Sequence, residues 1–384
     1  MPKVTLSPLE ARPNRIVLAL YVGSAVLVTL QQAVFGHSNN LRIFRAATFN
    51  LIAGQDLYVA HPEQYGDLYK YSPTFAVLFA PFAYLPFVLS FLCWTLLNAL
   101  LLWYAINRLL PGRPATVALL LLFLDVLLTL QYGQSNALVA ALMILAFLAF
   151  ERDRQTGAAA SITLGAAVKV FPIAGLSLAA FYPRRGRFAA IFVAALAVTA
   201  ALPLLVTSLD TLVAQYHSWR GLEAMEALRR GDSILYYFHA WLGVDWPNWP
   251  VQLAGTILLL LPLAVRWERR TSADFRRLFL CSLLVYVVLF NHASEPPTFI
   301  VAYTGIVIWY MSASPSQVRT AVLALTLLVM VAVDVDIFPR SFKQDILVPY
   351  RIRGIPALVA WIVMQWELLR PGSVQDRAAL DVAH

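Results

Sequence analysis

Asp56, Lys169 and His292 are ionisable residues kept in a chain that is 60% hydrophobic and only 13% charged. Asp56 belongs to the polar stretch AGQDLYVAHPEQYGDLYKYSP (53–73), which lies between two apolar runs and also carries His61, Glu63, Asp67, Lys70 and four tyrosines. An aspartate within hydrogen-bond reach of a hydroxyl takes its proton as a general base. An aspartate shortly after a glycine equally serves to cap the next turn. Glu63 and Asp67 read as solvated loop charges. Tyr58, Tyr65, Tyr69 and Tyr71 suit either an interfacial aromatic belt or the stacking wall of a sugar site. Lys169, in GAAVKVFP, is costly in an apolar segment, and such a residue marks a site or a partnered charge. Beside a helix break it would hold a phosphate as a point charge; snorkelling to the interface is the competing account.

Three further groups have the right chemistry for a phosphorylated or hydroxylated ligand. Gln134 and Asn136 sit in QYGQSN (131–136), a tight turn, where amides either cap the following helix or hydrogen-bond a hydroxylated substrate. Arg229 and Arg230 accompany Asp232 and four tryptophans (Trp219, Trp241, Trp246, Trp249) in the longest polar segment, 208–250. That mixture fits a membrane-surface helix or a phosphate and sugar site. His292 and Glu295 occupy NHASEPPTF (291–299), a minimal turn between two apolar runs. A histidine there changes charge near physiological pH and responds to a phosphate.

The elements that position these residues are apolar runs. A bilayer core about 30 Å thick needs roughly 20 helical residues, and such runs recur near 16–35, 87–109, 115–130, 134–150, 187–207, 251–266, 278–292, 297–312, 319–335 and 352–369. The whole chain, 1–384, therefore reads as one all-α polytopic membrane domain of about 10–12 transmembrane helices, and a set of soluble domains is excluded. The first run is too long for a signal-peptide core and is expected to be retained. Ser72–Pro86 is apolar but short and proline-punctuated, as a juxtamembrane or re-entrant helix would be. Asn40–Ile52 has the pattern of an interfacial helix. Residues 156–182 are too long for one span and too short for two, with Lys169 and Pro172 in the middle. Two half-length helices meeting there satisfy the topology, with the broken backbone lining a cavity.

Charge orients the bundle. With a cytoplasmic N-terminus, eighteen of the 29 lysines and arginines fall on inner segments and ten on outer ones, leaving Lys169 in the membrane. The first outer loop is then 36–72, the large outer loop 208–250 and the cytoplasmic tail 370–384. His37, His61, His217, His239 and His292 fall on the outer side, so chemistry is expected there. The net charge of +8 is explained by inner-face arginines facing anionic lipid, and nucleic acid is not implied. Cys93 and Cys281 lie in apolar runs, about 190 residues apart, and indicate neither a disulfide framework nor a metal site.

In order, GQDLY, YKYSPTFAVLFAPFAYLP, QYGQSNALVAALM, GAAVKVFPIAGLSLAAFYPRR and NHASEPPTFIVAYTGIVIWY make the chain resemble glycosyltransferase family 87, over most of its length. These are C-type membrane glycosyltransferases that use polyprenyl-phosphate sugars such as polyprenyl-phosphomannose. The resemblance implies a C-type bundle, a catalytic aspartate in the first extracytoplasmic loop, which maps onto Asp56, and a late outer histidine near the donor phosphate, which maps onto His292. Lys169, Arg229 and Arg230 are the further phosphate candidates; Tyr58, Tyr71, Gln134, Asn136 and Glu295 are the sugar or acceptor candidates. The expected partners are the lipid-linked donor, a glycolipid or glycan acceptor and membrane lipids. No cofactor or metal is called for, since a monophosphate leaving group meets cationic side chains instead. A transporter or flippase of a lipid-linked sugar would use the same lysine and the same broken helices, and stands as the alternative.

Overall fold

The protein is described from a computed structural model at residues 8–36, 38–314, 316–335 and 338–371, with side chains from residue 14. His37 and residues 372–384 of the expected tail, His384 among them, lie outside the described residues. Each of the ten apolar runs is helical, and the described residues include no strand. The chain is an all-α polytopic membrane protein. Among the described residues, five helical segments can cross a bilayer by length and composition, Asn14–Val34, Phe87–Leu109, Arg185–Leu205, Asn248–Val265 and Gln317–Asp334, and the bent pair Arg113–Leu121 and Phe123–Gln131 makes a sixth if it is one span. The chain clusters into two compact units, one formed by residues 1–173 and 186–228, the other by 174–185 and 229–384.

In the first unit, α1 (Pro8–Thr29) continues through a π-helical turn at Leu30–Val34, and α2 (Asn39–Ile52) follows as the expected amphipathic helix. Its buried stripe is Leu41, Phe44, Ala47, Thr48 and Leu51, the 3–4 spacing of a helix lying on a core. Two short helices, α3 (Pro73–Leu78) and α4 (Ala80–Ala83), replace a span, because Pro73 and Pro81 each start a new helix at its first turn. The run at 115–130 differs from expectation: it is two helices, α6 (Arg113–Leu121) and α7 (Phe123–Gln131), bent by 50°. α8 (Asn136–Glu151) is buried on nearly every side because it packs between α5 (Phe87–Leu109) and α9 (Gln155–Val168).

α9 stops where sequence predicts. Lys169 is extended (φ −144°, ψ 138°), and the chain resumes as a 3₁₀ helix over Phe171–Phe181. Pro172 lacks the amide that would bond the Val168 carbonyl, so the α-helix cannot continue through it. Pro172 then folds back against Gly165, where an added Cβ would lie 3.0 Å from the proline ring. α10 (Arg185–Ala201) leads to α11 (Leu209–Glu226), which occupies much of the segment expected to be loop; Ser208 caps it by accepting from the Thr211 amide at 3.2 Å.

The second unit comprises α12 (Ile234–Ala240), α13 (Asn248–Val265), α14 (Ala273–Leu289), α15 (Phe299–Met311), α16 (Gln317–Asp334), α17 (Arg340–Phe342) and α18 (Gly354–Leu369). Its centre is α14 against α15 and α18. Gly305 lets the α15 backbone approach α14, since a Cβ there would stand 2.7 Å from the Cys281 carbonyl oxygen, the small-residue contact that packs helices in lipid.

Candidate active site

The glycine of GQDLY has a local structural purpose. α2 ends in a Schellman arrangement: Gly54, at φ +69°, donates to Leu51 O (3.1 Å), and the Gln55 amide donates to Asn50 O (2.9 Å). The chain emerges at Asp56, whose carboxylate is half-buried. Asp56 Oδ1 accepts from the Tyr58 amide (2.9 Å), so the turn-capping reading holds for one oxygen. Asp56 Oδ2 accepts from the Ser218 hydroxyl (2.8 Å), on α11. An ionised carboxylate has about four acceptor sites, so two donors orient it and leave room for an incoming hydroxyl.

α11 also clamps the backbone on both sides of Asp56. The Gln215 amide donates to Gln55 O (2.8 Å) and accepts from the Leu57 amide (3.1 Å). Gln215 is 3% exposed, so these bonds form away from water and hold the aspartate's backbone in place. Sequence reasoning missed Gln215 and Ser218. Their signal was register: Gln215 lies one turn beyond the buried Leu212 and seven residues before the buried Leu222, which puts a polar residue on a buried stripe.

From Asp56 a polar track runs through the first unit. Tyr58 is 7% exposed and its hydroxyl donates to Tyr71 O (2.9 Å). Burial, reinforced by Tyr69, Tyr216, Asp56 and Glu223, pushes the Tyr58 phenol well above its ordinary range and keeps it a neutral donor. Tyr65 and Tyr69 are also buried, so these three tyrosines form an internal wall and not a lipid-facing belt. Tyr58 thus supports Tyr71 and has little ring surface for a sugar. Tyr71 is half-exposed, and Lys169 Nζ stands 6.0 Å over its ring. Ser72 ties this stretch to the end of α9 by donating to Ala167 O (2.5 Å).

Lys169 next reaches the QYGQSN turn, where its Nζ donates to Gln134 Oε1 (3.4 Å); Asn136 Nδ2 lies 3.4 Å from the same oxygen. The helix-capping reading of these amides gives way here. The first turn of α8 is served by Asn98 Oδ1 of α5, which accepts from the Leu138 amide (3.1 Å), and Ser135 at the N-cap makes no side-chain cap bond. Asn136 Oδ1 and Ser135 Oγ are buried without a hydrogen-bond partner among the described residues. Buried polar atoms left in that state call for an explanation such as a ligand or water.

The remaining candidates converge in the second unit. Gly231 (φ +46°) lies directly against the 291–295 turn: an added Cβ would fall 2.5 Å from Ser294 O and 2.7 Å from His292 O. The Asp232 amide donates to Ser294 O (2.8 Å), so Arg229–Asp232 is docked on the turn that carries His292 and Glu295. His292 is half-exposed, with Gln252 Nε2 3.4 Å from its Nδ1. Arg230 pairs with Asp245 at 2.6 Å, and Asp232 pairs with Arg351. Glu295 is exposed, and its amide donates to Thr298 Oγ1 (3.3 Å) at the start of a helical turn. Its contacts are those of a helix cap.

In this all-α membrane protein, Asp56, Tyr58, Tyr71, Lys169 and Gln134 are linked within the first unit, and Arg229–Asp232 docks on the His292 turn within the second. Residues 69–291 match glycosyltransferase family 87, and the chain belongs to that family. It is a membrane glycosyltransferase. The matched stretch contains Tyr71, Gln134, Asn136, Lys169, Arg229 and Arg230; Asp56 and Tyr58 precede it, and His292 and Glu295 follow it. Among solved structures, the chain is similar to ArnT from Cupriavidus metallidurans bound to undecaprenyl phosphate, with 12% identity, 92% of this chain and 76% of that chain covered, and a TM-score of 0.41. No curated protein matches the chain.

Proposed function

We propose that the enzyme transfers a hexose, mannose as the first choice, from a polyprenyl monophosphate to a hydroxyl of a glycolipid or glycan acceptor on the extracytoplasmic side. The observation that carries this reading is the polar track from Asp56 through Tyr58 and Tyr71 to Lys169. It supplies a base and a cation within one compact unit, as glycosyl transfer from a phosphate requires.

In the proposed step the acceptor oxygen attacks the anomeric carbon and its proton passes to Asp56. The new C–O bond forms as the bond from that carbon to the phosphate oxygen breaks. The electron pair leaves with the polyprenyl phosphate, whose growing negative charge is stabilised by preorganised cations. Lys169, in the same unit as Asp56, is assigned that role. His292, Arg229 and Arg230, in the other unit, are the alternative cations for the phosphate, taken in that order. Attack opposite the leaving group inverts the configuration. Tyr71 offers a half-exposed ring for the sugar, while Asn136 and Ser135 offer buried polar atoms to its hydroxyls. The isoprenoid tail would lie in lipid beside the spans.

The test is transfer by the purified protein in vesicles holding synthetic polyprenyl-phosphomannose. A new glycoside of inverted configuration, lost in Asp56→Asn with the protein still folded, supports the proposal. Wild-type rates in Asp56→Asn would refute it, and headgroup translocation without product would favour a transporter.

A further inference from the structure

A second polar feature of the first unit lies outside the track around Asp56. A cavity of about 310 Å³ opens beside α2, walled by Arg42, Arg45, Phe49, Gln64, Phe87 and Ala33. Arg42, Arg45 and Phe49 are spaced i, i+3 and i+7, so one face of α2 presents two guanidinium groups and an aromatic ring. Among the described residues the walls hold two cations and no acid. Arg45 is held in place: its Nη1 donates to Leu85 O (2.5 Å) and its guanidinium carbon lies 5.7 Å from the Phe87 ring centre. Arg42 is exposed. Gln64 Oε1 is engaged by Asn50 Nδ2 (2.9 Å), so what Gln64 offers a ligand is its NH₂ group. All three polar walls are therefore donors.

The cavity also has a fixed depth. Ala33 lies in the last turn of the first span and Phe87 is the first residue of α5, so the cavity is at the boundary where two spans end. Next to Ala33, Val34 and Phe35 are 50% and 84% exposed, an apolar surface leading away from the arginines. A donor-lined, dibasic hollow with an apolar exit fits an anionic amphiphile: the phosphate takes the guanidinium groups through charge-assisted bonds, and the chains leave into the bilayer. Basic groups at a membrane surface draw anionic lipid in this way. Arg42 and Arg45 are moreover among the minority of basic residues that the charge count assigns to the outer side, where orientation alone does not call for them.

We propose that this cavity binds the phosphate headgroup of an anionic membrane phospholipid. The bound lipid braces the helix whose C-terminal turn leads directly into Gln55 and Asp56. The inference stands whatever chemistry Asp56 performs.

The test uses the full-length protein in phosphatidylcholine nanodiscs doped with a photoactivatable phosphatidylglycerol. Labelling of the peptide spanning residues 33–49 is expected in the wild type, and a loss of about tenfold or more in the R42Q/R45Q double variant, as two surface cations are removed. Arg220→Gln, an exposed arginine on α11, should label as the wild type does. Equal labelling of the double variant, or labelling of residues elsewhere only, would overturn the proposal. Competition by millimolar inorganic phosphate would also overturn it, by pointing to a free-phosphate site. If the double variant does not fold, Arg42→Gln alone decides: its side chain is exposed, and undiminished labelling would count against the site.

Discussion

The Ser218 hydroxyl donates to Asp56 Oδ2 across 2.8 Å, joining residues 162 positions apart in the chain. Through this bond α11 sets the orientation of a carboxylate that the loop after α2 delivers. A hydrogen bond to a charged group is worth about 1.5 kcal/mol or more, and 1.36 kcal/mol is tenfold in rate. Ser218→Ala is therefore expected to lower kcat about tenfold with little change in donor KM, and Ser218→Thr, which keeps the hydroxyl, to restore most of it. Steady-state kinetics on the three proteins check this, and an Ala variant with unchanged kcat would show that the bond has no part in positioning.

Lys169 offers a different split. Its ammonium group is expected to act on the donor phosphate, so Lys169→Met should raise donor KM by roughly tenfold or more, as loss of a charge-assisted bond implies. Lys169→Arg keeps the charge but not the compact geometry and should fall between. Donor titrations against a fixed acceptor separate these cases. Equal donor KM in all three would place Lys169 in a purely structural role between Tyr71 and Gln134.

Gly231 predicts a backbone effect. Any Cβ would meet the His292 and Ser294 carbonyl oxygens at 2.7 and 2.5 Å, and φ is +46°. Gly231→Ala should cost about 1–3 kcal/mol, the usual range for a residue forced into sparse backbone space, and detach Arg229–Asp232 from the His292 turn. A lowered unfolding temperature together with reduced transfer is the expected pair of readings.

Glu223 predicts a pH effect of known sign. Burial raises its carboxyl above the ordinary value, partly offset by the Trp219 indole N–H donating to it (3.2 Å). For an acid whose folded value is raised, the associated stability is fully present below the unfolded value and is lost as pH rises through the folded one. Glu223→Gln keeps an acceptor for Trp219 but has no charge to desolvate. Relative to the wild type, its unfolding temperature should therefore improve between acidic and neutral pH. A difference that stays constant across that range would refute the assignment.

Apolar runs, the helix break at Lys169–Pro172 and the amphipathic face of α2 were legible in the sequence because their causes are local, whereas the 50° bend between α6 and α7 was not. Hydropathy over twenty residues, a proline's missing amide and a glycine at a helix end act within a few residues of where they are written. Lys169 stood out for a similar reason, since a charge in an apolar setting is costly wherever the chain goes; Asp56, in a polar stretch, was singled out by the resemblance that GQDLY carries. Tertiary structure decided which polar groups meet. Gln215 and Ser218 belong to a segment that reads as loop, and their partners are undefined until α11 forms and lies along Gln55–Leu57. Gln134 looked like a helix cap until Asn98 took that duty and Lys169 reached its amide oxygen. Hydrogen bonds have a short range, so whether two side chains separated by dozens of residues are partners depends on packing, which no local pattern records.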